Sequence, residues 1–345
     1  MIHVAVEITT GDPVGYFLEE QSLHGRSDRT VEAYERVLRE FETFLDEERE
    51  VDTPARAGRR DCLSWVHTLR GELAESTIAT YASYVHRFYA YMVDVDQFDA
   101  NPMSVVVEEM HESIDVDPTR RELDVSDMRR LVGHAGHPLD RAVIVTLLKT
   151  GMRVGELVNL DLQDVAMEPS GIECTWERRV ELSTRPRTLF VDPAAVRGRT
   201  LNGERRTASN KRQRETLVPI DAELQRVLTR WLAIRPDAVS PARPLFLNTR
   251  GRWGSRLSTD DVRRIVREHA EAFGWYRVGG GPRENVTPHY FRHFFTTHLR
   301  DRTGERGVVK YLRGDVADDV LDTYTHHWGE RVREVYERHI YDLGT

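Results

Sequence analysis

The sequence predicts a mainly α-helical protein of two domains, a helical bundle at the N-terminus and a larger mixed α+β domain with a small antiparallel sheet. The length of 345 residues is long for one hydrophobic core and suits two. Apolar residues recur at helical spacing on both sides of a polar stretch without periodicity, which covers residues 108–121. Short runs typical of strands occur in the second part.

Helical periodicity in the first part predicts four helices and a short fifth one. Helices are expected over residues 13–23, 31–45, 59–73 and 76–92, with a short one after Asn101-Pro102. The aromatic residues along these helices are interpreted as core rather than as a base-stacking surface. The chain is therefore predicted to comprise an arm at 1–12, a helical domain at 13–107, a linker at 108–122 and a second domain at 123–345.

The second part combines helices with a strand-rich segment. Helices are predicted near Val125, over residues 139–150 up to Gly151, and over residues 221–234 and 259–273. Strands are predicted over residues 172–176, 188–191 and 216–220. Pro288 at a first helical position after Thr287 predicts a further helix, and residues 330–343 predict an amphipathic tail.

Charge is distributed unevenly along the chain. The formal net charge is −8, yet residues 178–214 hold ten Arg and one Lys against three acidic residues. This basic segment is either a solvated loop or a surface that neutralises DNA phosphates, since such patches supply much of the affinity for nucleic acid. Its candidate DNA-contacting residues are Arg197, Arg199, Arg205, Arg206, Arg212 and Arg214.

Lysine and cysteine are both rare. Of the 49 basic residues, three are lysines, which are Lys149, Lys211 and Lys310. Unlike arginine, lysine gives up a proton readily when its pKa is lowered, so a position that keeps lysine is a candidate proton donor. Cys62 and Cys174 lack metal-type spacing and are expected to be reduced. We expect a cytoplasmic protein, because the sequence shows neither a membrane-length apolar run nor a secretory signal.

Three segments carry residue types that act on phosphodiesters. TGMRVGELVNL at 150–160 places Arg153 just after a helix end, with Glu156 three residues later. TPHYFRHFFTTHL at 287–299 puts His289 and Arg292 on one helix face. DTYTHHW at 322–328 carries Tyr324 in a polar segment before the last helix. Each segment alone has an ordinary structural explanation, whereas their order and spacing form a specific pattern.

In this order the segments resemble the tyrosine recombinase family, which includes the phage integrases and the Xer-type recombinases. The first resembles the family's first-arginine box, the second its His-x-x-Arg box, and YLRGDVADDVLDTYTH its final box with the nucleophile. NKRQRETLVP at 210–219 resembles the strand turn that carries the family's lysine, with Lys211 eight residues before Pro219. The resemblance covers residues 123–345, and the N-terminal helices more weakly resemble the family's SAM-like core-binding domain.

The resemblance implies cleavage and rejoining of DNA through a covalent phosphotyrosine, without a metal ion or any other cofactor. Arg153 and Arg292 would supply planar donors to the non-bridging phosphate oxygens. Tyr324 would be the nucleophile. Lys211 would protonate the departing 5′ oxygen, and His289 would accept the phenolic proton or brace the phosphate.

The roles of two carboxylates stay open at this point. Glu156 is interpreted as orienting Arg153 or making a structural hydrogen bond rather than as a catalyst. Asp315 stands nine residues before Tyr324, where the family usually has His or Trp. A carboxylate repels a phosphate unless it is protonated. Asp315 therefore either turns away and orients Arg313 or His289, or another donor takes over.

The resemblance also implies the partners. Two domains would clamp double-stranded DNA, and four protomers would bind two DNA sites, forming a homotetramer on nucleoid DNA. The helix after Tyr324 would dock on a neighbouring protomer or pack on its own domain. No membrane partner is expected, and the sequence does not specify accessory proteins.

Three rival functions stay open. Asp315 suits a relative that binds specific DNA sequences with lost or attenuated catalysis. A type IB topoisomerase would use the same chemistry without exchanging strands between sites. A metal-dependent hydrolase would use His289, His293 and His298, although no HExxH pattern accompanies them. Tyr336 also stays open as a lesser candidate nucleophile.

Overall fold

The computed structural model describes residues 11–114, 119–168, 176–315 and 328–345. The chain divides into two compact units, Met1–Asp117 and Pro118–Thr345, called unit 1 and unit 2 below. Unit 1 is helical, and unit 2 combines helices with short antiparallel strands. The predicted fold class, mainly α with a small antiparallel sheet, is confirmed. No helix within these ranges is long and apolar enough to cross a membrane.

Five helices make up the described part of unit 1. They are α1 (Pro13–Leu23), α2 (Asp28–Arg49), α3 (Arg59–Leu69), α4 (Glu75–Asp94) and α5 (Ser104–Glu109). Their apolar faces meet in one core, in which Phe17, Phe41, Trp65 and Phe88 are almost fully buried. The rings of Phe17 and Phe88, and those of Phe41 and Trp65, meet edge to face. The aromatic residues therefore form core, as predicted.

Several helix ends in unit 1 differ from the prediction, among them those of α2, which extends beyond residues 31–45 at both ends. Helix α3 ends at Leu69 rather than at residue 73, because Arg70 is extended and Gly71 adopts φ 95°, a left-handed conformation that stops the helix. Helix α5 continues to Glu109, two residues into the predicted linker. Apolar periodicity locates the helices well but does not define their last turn.

Eight helices belong to the described part of unit 2. They are α6 (Val125–His134), α7 (Pro138–Thr150), α8 (Val154–Asn159), α9 (Ala222–Ile234), α10 (Thr259–Glu271), α11 (Pro288–Thr303), α12 (Arg306–Arg313) and α13 (Trp328–His339). Helix α7 is buried along nearly its whole length and packs against α9 and α11, which explains its continuous apolar run. Thr287 caps α11 through the Tyr290 N–H, with Pro288 in the first turn as predicted. The short helices α8 and α12 were not predicted.

Two small antiparallel sheets complete unit 2. Strands β1 (Val165–Ala166), β2 (Thr188–Val191) and β5 (Thr216–Pro219) form one sheet in the order β1-β2-β5, with Leu189 opposite both Val165 and Val218. Strands β3 (Thr200–Leu201) and β4 (Glu204–Arg205) form a separate β3–β4 ribbon. Strands β2 and β5 confirm the prediction, whereas the ribbon was not predicted. Of the predicted strand at 172–176, only Trp176 lies within the described residues, and it is not in a strand.

Helix α13 packs on its own unit. It lies against α11 and β5, with Val332, Val335 and Tyr336 buried. Of the two arrangements expected for this helix, packing on its own domain is the one in the structure.

The chain beyond α13 is tied to the core through Lys149. The Lys149 side chain is 1% exposed, and its Nζ lies 2.6 Å from both Asp221 Oδ2 and Glu223 Oε2. Nζ also donates to the Tyr341 carbonyl. Glu223 in turn accepts the backbone N–H groups of Leu343 and Thr345. Lys149 is therefore a structural cation, and the expectation that each retained lysine is a candidate proton donor is wrong for this residue.

We predict that Lys149→Met destabilises unit 2 by about 3–5 kcal/mol, because it leaves two poorly solvated carboxylates without their cation. Hydrogen exchange of the α7 and α9 amides measures this free energy in the full chain. The control Arg338→Met removes a cation whose side chain is 63% exposed and should change the exchange free energy by less than about 0.5 kcal/mol. Equal effects of the two substitutions would contradict the structural role of Lys149.

The same cluster predicts a loss of stability in acid. Burial raises the pKa of Glu223, but hydrogen bonds from Lys149 and from the Thr345 and Leu343 backbone outweigh it and lower the pKa to about 2. The pKa of Glu223 in the folded state is below the unfolded value of about 4.3. Ionised Glu223 therefore contributes fully to the free energy of unfolding above pH ~4.3, and this contribution is lost as the pH falls towards 2. In Lys149→Met the free energy of unfolding should fall less between pH 4 and 2 than it does in the wild type.

Candidate active site

The turn after α7 requires a glycine. Gly151 has φ 60°, and a Cβ at this position would lie 2.2 Å from the Phe295 ring of α11. This close approach lets the Gly151 carbonyl accept a hydrogen bond from Arg292 Nη1 at 2.8 Å. The segment that carries Arg153 and the helix that carries Arg292 are therefore fixed to each other at Gly151.

Glu156 holds two arginines from inside the domain. It accepts the backbone N–H of Arg153 at 2.9 Å and Arg153 Nη1 at 3.0 Å. Its buried carboxylate also accepts Arg212 Nη2 at 2.9 Å. Burial raises the pKa of Glu156, but the charge and hydrogen bond of Arg212, the backbone N–H of Arg153 and the charge of Arg292 together outweigh burial, and the pKa is lowered. Glu156 is therefore a charged link between Arg153 and Arg212.

Arg292 reaches the same place from α11. Only 4% of its side chain is exposed. Burial, followed by the charge of Arg153, lowers its pKa to about 10, so the guanidinium stays charged at neutral pH. Its Nη2 donates to the Arg313 carbonyl at 3.0 Å, and Arg153 Nη1 lies 3.4 Å from the same carbonyl. The two predicted catalytic arginines thus share an acceptor at the end of α12.

Asp315 lies at the centre of this group. Its Oδ1 accepts Arg153 Nη2 at 3.1 Å and Arg292 Nη2 at 3.0 Å. Its Oδ2 lies 2.9 Å from Arg313 Nε. The expectation that Asp315 turns away from the catalytic arginines is wrong, because guanidinium groups that converge on one point attract the nearest carboxylate. The part of that expectation that paired Asp315 with Arg313 agrees with the geometry.

The end of α12 fixes the backbone of Asp315. Gly314 adopts φ 70°, and the Asp315 N–H donates to the Lys310 carbonyl at 3.0 Å, which closes the last helical turn. A Cβ on Gly314 would lie 2.7 Å from the Arg212 side chain. Arg212 therefore packs against Gly314 as well as pairing with Glu156, and it joins three motif segments that are distant in the sequence.

Lys211 immediately precedes this buried arginine. Its side chain is exposed, in the irregular stretch before β5. Since Arg212 is held between Glu156 and Gly314, the backbone that carries Lys211 is anchored next to the arginine pair. The structure thus brings the segments of Arg153, Lys211, Arg292 and Asp315 together.

His289 lies in the first turn of α11, three residues before Arg292. Partial desolvation, followed by the charges of Arg120, Arg292, Arg313 and Arg153, lowers its pKa. The imidazole is therefore neutral at neutral pH and able to accept a proton.

The two candidate nucleophiles differ in what the structure shows. Tyr324 lies outside the described residues. Tyr336 is fully buried, and its hydroxyl donates to the Lys149 carbonyl at 3.0 Å. Burial raises the pKa of Tyr336 well above its ordinary value. The alternative that Tyr336 is the nucleophile is wrong, because a buried phenol in a structural hydrogen bond does not reach a DNA phosphate.

The predicted DNA-contacting arginines separate into two groups. Arg197, Arg199 and Arg205 are exposed, and Arg214 is half-buried. Arg206 and Arg212 are buried and paired with carboxylates. Their assignment to DNA contact is therefore corrected, since a guanidinium held inside the domain neutralises an internal charge rather than a phosphate.

The buried partner of Arg206 is Asp161. It receives both Arg206 Nη1, at 3.2 Å, and Arg206 Nη2, at 2.6 Å. It also accepts Arg256 Nη2 and Asn202 Nδ2, each at 2.6 Å. Asn202 lies at the tip of the β3–β4 ribbon, and Arg206 directly follows β4. Asp161 therefore anchors the ribbon to the body of unit 2.

The histidines singled out in the sequence do not form a metal site in the described part of the chain. No group of three His, Cys, Asp or Glu residues there is arranged to hold a metal ion. His298 stacks on Phe294 and makes a hydrogen bond with its carbonyl at 3.2 Å.

The sequence indicated Arg313 only as a partner for Asp315, and it did not indicate the internal roles of Asp161 and Arg212. For Arg313 the sequence does hold a local signal of a role in the site, because this cation lies two residues before the unexpected Asp315 in a motif segment. The partners of Arg212 and Asp161 are 56 and 45 residues away in the sequence, and no local pattern reports such pairs.

Comparison with known proteins gives matches along most of the chain. The model described as the phage integrase family matches residues 121–331, and that of the phage integrase N-terminal SAM-like domain matches residues 16–95. Tyrosine recombinase XerC of Pelotomaculum thermopropionicum is 27% identical over 329 residues, covering 90% of this chain and 92% of that protein. Tyrosine recombinase XerD of Staphylococcus saprophyticus is 24% identical over 323 residues, covering 90% and 92%.

Solved structures share the fold. The Tn1549 transposon integrase in complex with a circular intermediate DNA has a TM-score of 0.64 at 18% identity, covering 94% of this chain and 98% of that one. A lambda integrase dimer bound to a COC′ core site has a TM-score of 0.61 at 13% identity, covering 89% and 94%.

We predict that Arg206→Ala destabilises unit 2 by about 3–5 kcal/mol, since it removes the bidentate partner of a fully buried carboxylate. Chemical denaturation monitored by circular dichroism measures the change. The control is Arg205→Ala, which removes the preceding, exposed arginine of the same ribbon and should cost no more than about 0.5 kcal/mol. A small loss for Arg206→Ala would contradict the anchoring role.

Proposed function

Because the chain belongs to the phage integrase family of tyrosine recombinases, we propose that it is a site-specific DNA recombinase that uses a covalent 3′-phosphotyrosine at Tyr324. The observation that carries this proposal is the convergence of Arg153 and Arg292 on one oxygen of Asp315, at 3.1 and 3.0 Å. Guanidinium groups that bind a carboxylate oxygen in this way also bind a phosphate oxygen. Metal-free phosphoryl transfer requires such donors, because negative charge grows on the non-bridging oxygens in the transition state.

In the proposed reaction, the phenolic oxygen of Tyr324 attacks the scissile phosphorus. The bond from phosphorus to the 5′ oxygen breaks, and a bond from phosphorus to the tyrosine oxygen forms. His289 accepts the phenolic proton, consistent with its lowered pKa. Lys211 gives a proton to the departing 5′ oxygen. Attack by a 5′ hydroxyl on the phosphotyrosine reverses these steps, so rejoining needs neither ATP nor a metal ion.

Two further residues are assigned to positioning. Glu156 orients Arg153 by accepting both its backbone N–H and its guanidinium. Arg212 holds the Lys211 backbone beside the arginines through its pairing with Glu156. Neither residue needs to touch DNA in this proposal.

The proposed partner is double-stranded DNA. Support comes from the solved neighbours, which include integrases in complex with DNA. By the same family relationship we assign residues 13–107 to DNA binding, residues 108–122 to a linker and residues 123–345 to catalysis. Four protomers on two DNA sites would exchange the strands on nucleoid DNA in the cytoplasm.

Covalent capture on a nicked suicide substrate tests the proposed chemistry. DNA from the flanks of the gene is incubated with the wild type, Tyr324→Phe and Tyr336→Phe in EDTA, and adducts that survive SDS are counted. We expect adducts with the wild type and with Tyr336→Phe, because the buried Tyr336 hydroxyl serves structure, and none with Tyr324→Phe.

The other outcomes separate the rival functions. Confirmed DNA binding by the wild type without an adduct would indicate a catalytically attenuated DNA-binding relative. Supercoil relaxation without site preference would indicate a type IB topoisomerase. Adducts that persist in Tyr324→Phe would contradict the assigned nucleophile.

The exposed arginines around the β3–β4 ribbon are proposed to contact the DNA backbone. We predict that replacing Arg197, Arg199 and Arg205 with Ala lowers the slope of log affinity against log salt by about 2–3, since each lost phosphate contact removes ~0.9. Binding measured across a salt series gives the slope.

The control triple variant is Arg263→Ala, Arg264→Ala and Arg267→Ala, which has the same net charge. These arginines pair with acidic residues within α10, so the slope should stay close to that of the wild type. Equal slopes for the two triple variants would show that Arg197, Arg199 and Arg205 do not contact DNA phosphates.

A further inference from the structure

We infer that Arg313 is a third catalytic arginine, which binds the non-bridging phosphate oxygen opposite the one held by Arg153 and Arg292. This inference rests on the proposed function and adds a residue to its site. The role is needed because Asp315 occupies the position where a neutral donor is expected, and a carboxylate cannot donate.

The first argument is how three guanidinium groups divide over the Asp315 carboxylate, two as hydrogen-bond donors to one oxygen and the third as an ion pair with the other. Arg153 and Arg292 both donate to Oδ1, whereas Arg313 Nε lies 2.9 Å from Oδ2. A phosphodiester, like a carboxylate, presents two charged oxygens that guanidinium groups recognise. The same three side chains therefore have the arrangement to hold both oxygens of one phosphate.

The second argument is charge. Arg153, Arg212, Arg292 and Arg313 with Glu156 and Asp315 give the cluster a net charge of +2. His289 adds no charge at neutral pH, since its pKa is lowered. The pentacoordinate transition state carries two negative charges, and the Arg313 guanidinium adds one positive charge to the group of side chains, including Lys211, that faces it.

The third argument is access. The Arg313 side chain is 34% exposed, whereas that of Arg292 is 4% exposed. Arg313 is therefore open to a ligand that approaches from solvent. Its main-chain carbonyl, rather than its side chain, accepts the hydrogen bonds of Arg153 and Arg292. Arg313→Ala keeps that carbonyl, so the variant removes the guanidinium without removing the support of the other two arginines.

Single-turnover cleavage on suicide substrates tests the inference with the full chain. The substrates carry either a normal scissile phosphate or one of the two methylphosphonate diastereomers, in which a methyl group replaces one non-bridging oxygen. The variants are Arg313→Ala, Arg313→Lys and Arg153→Ala. Arg306→Ala, which removes an exposed arginine at the start of the same helix, is the control.

On the normal phosphate we expect Arg313→Ala to cleave ~100- to 1000-fold more slowly than the wild type, with Arg313→Lys between them and Arg306→Ala unchanged. On one diastereomer the deficit of Arg313→Ala should shrink to about tenfold or less, because the oxygen that Arg313 binds is gone. The deficit of Arg153→Ala should shrink on the other diastereomer.

Three results would overturn the inference. The first is a cleavage rate for Arg313→Ala within about threefold of the wild type. The second is an equal deficit of Arg313→Ala on all three substrates, which would indicate a structural role. The third is recovery of Arg313→Ala and Arg153→Ala on the same diastereomer. Absence of any wild-type adduct on the normal phosphate would instead contradict the proposed function, and the inference with it.

Discussion

The buried carboxylate of Glu156 is the constraint on which the rest of the site depends. It pairs with Arg153 in its own segment and with Arg212 from the strand-rich segment, and Arg212 packs against Gly314 at the end of α12. An unpaired carboxylate at this depth would cost several kcal/mol, so the arginines that pair with Glu156 stabilise the fold of the domain as well as the site. Folding of the domain and positioning of the phosphate-binding side chains thus depend on the same buried group.

Internal pairing also explains how an acidic chain maintains a basic site. Part of the excess positive charge between residues 178 and 214 is neutralised inside unit 2 by acidic residues from outside that segment, where Arg206 meets Asp161, Arg212 meets Glu156 and Arg179 meets Asp164. The surface charge available to DNA is smaller than the composition suggests. Specific placement of a few guanidiniums, more than bulk charge, therefore defines the candidate DNA-facing region.

Local sequence rules predicted most helices and strands, and they failed where residues distant in the sequence determine the burial and pairing of a side chain. Pro288 after Thr287 and the left-handed Gly151 have local causes, so the start of α11 and the end of α7 followed from sequence. Burial of Arg206 and Arg212 depends on carboxylates that the fold brings from elsewhere. Likewise, the charge rule that Asp315 avoids a phosphate site is correct for an isolated pair, but it neglected three arginines that together attract a carboxylate. The β3–β4 ribbon has strands too short to show a period.

Lys149 has a consequence for the evolution of the chain. A single base change converts a lysine codon into an arginine codon, and a chain with three lysines among 49 basic residues has accepted arginine almost everywhere. At position 149 the oxygens of Asp221, Glu223 and Tyr341 enclose a single ammonium nitrogen, and a planar guanidinium would not fit among them. Substitution of arginine at position 149 is therefore disfavoured, because the guanidinium is larger than the space that these oxygens leave. Retention of a lysine in an arginine-rich chain indicates a constraint on that position, and the residues around it show whether the constraint is shape or proton chemistry.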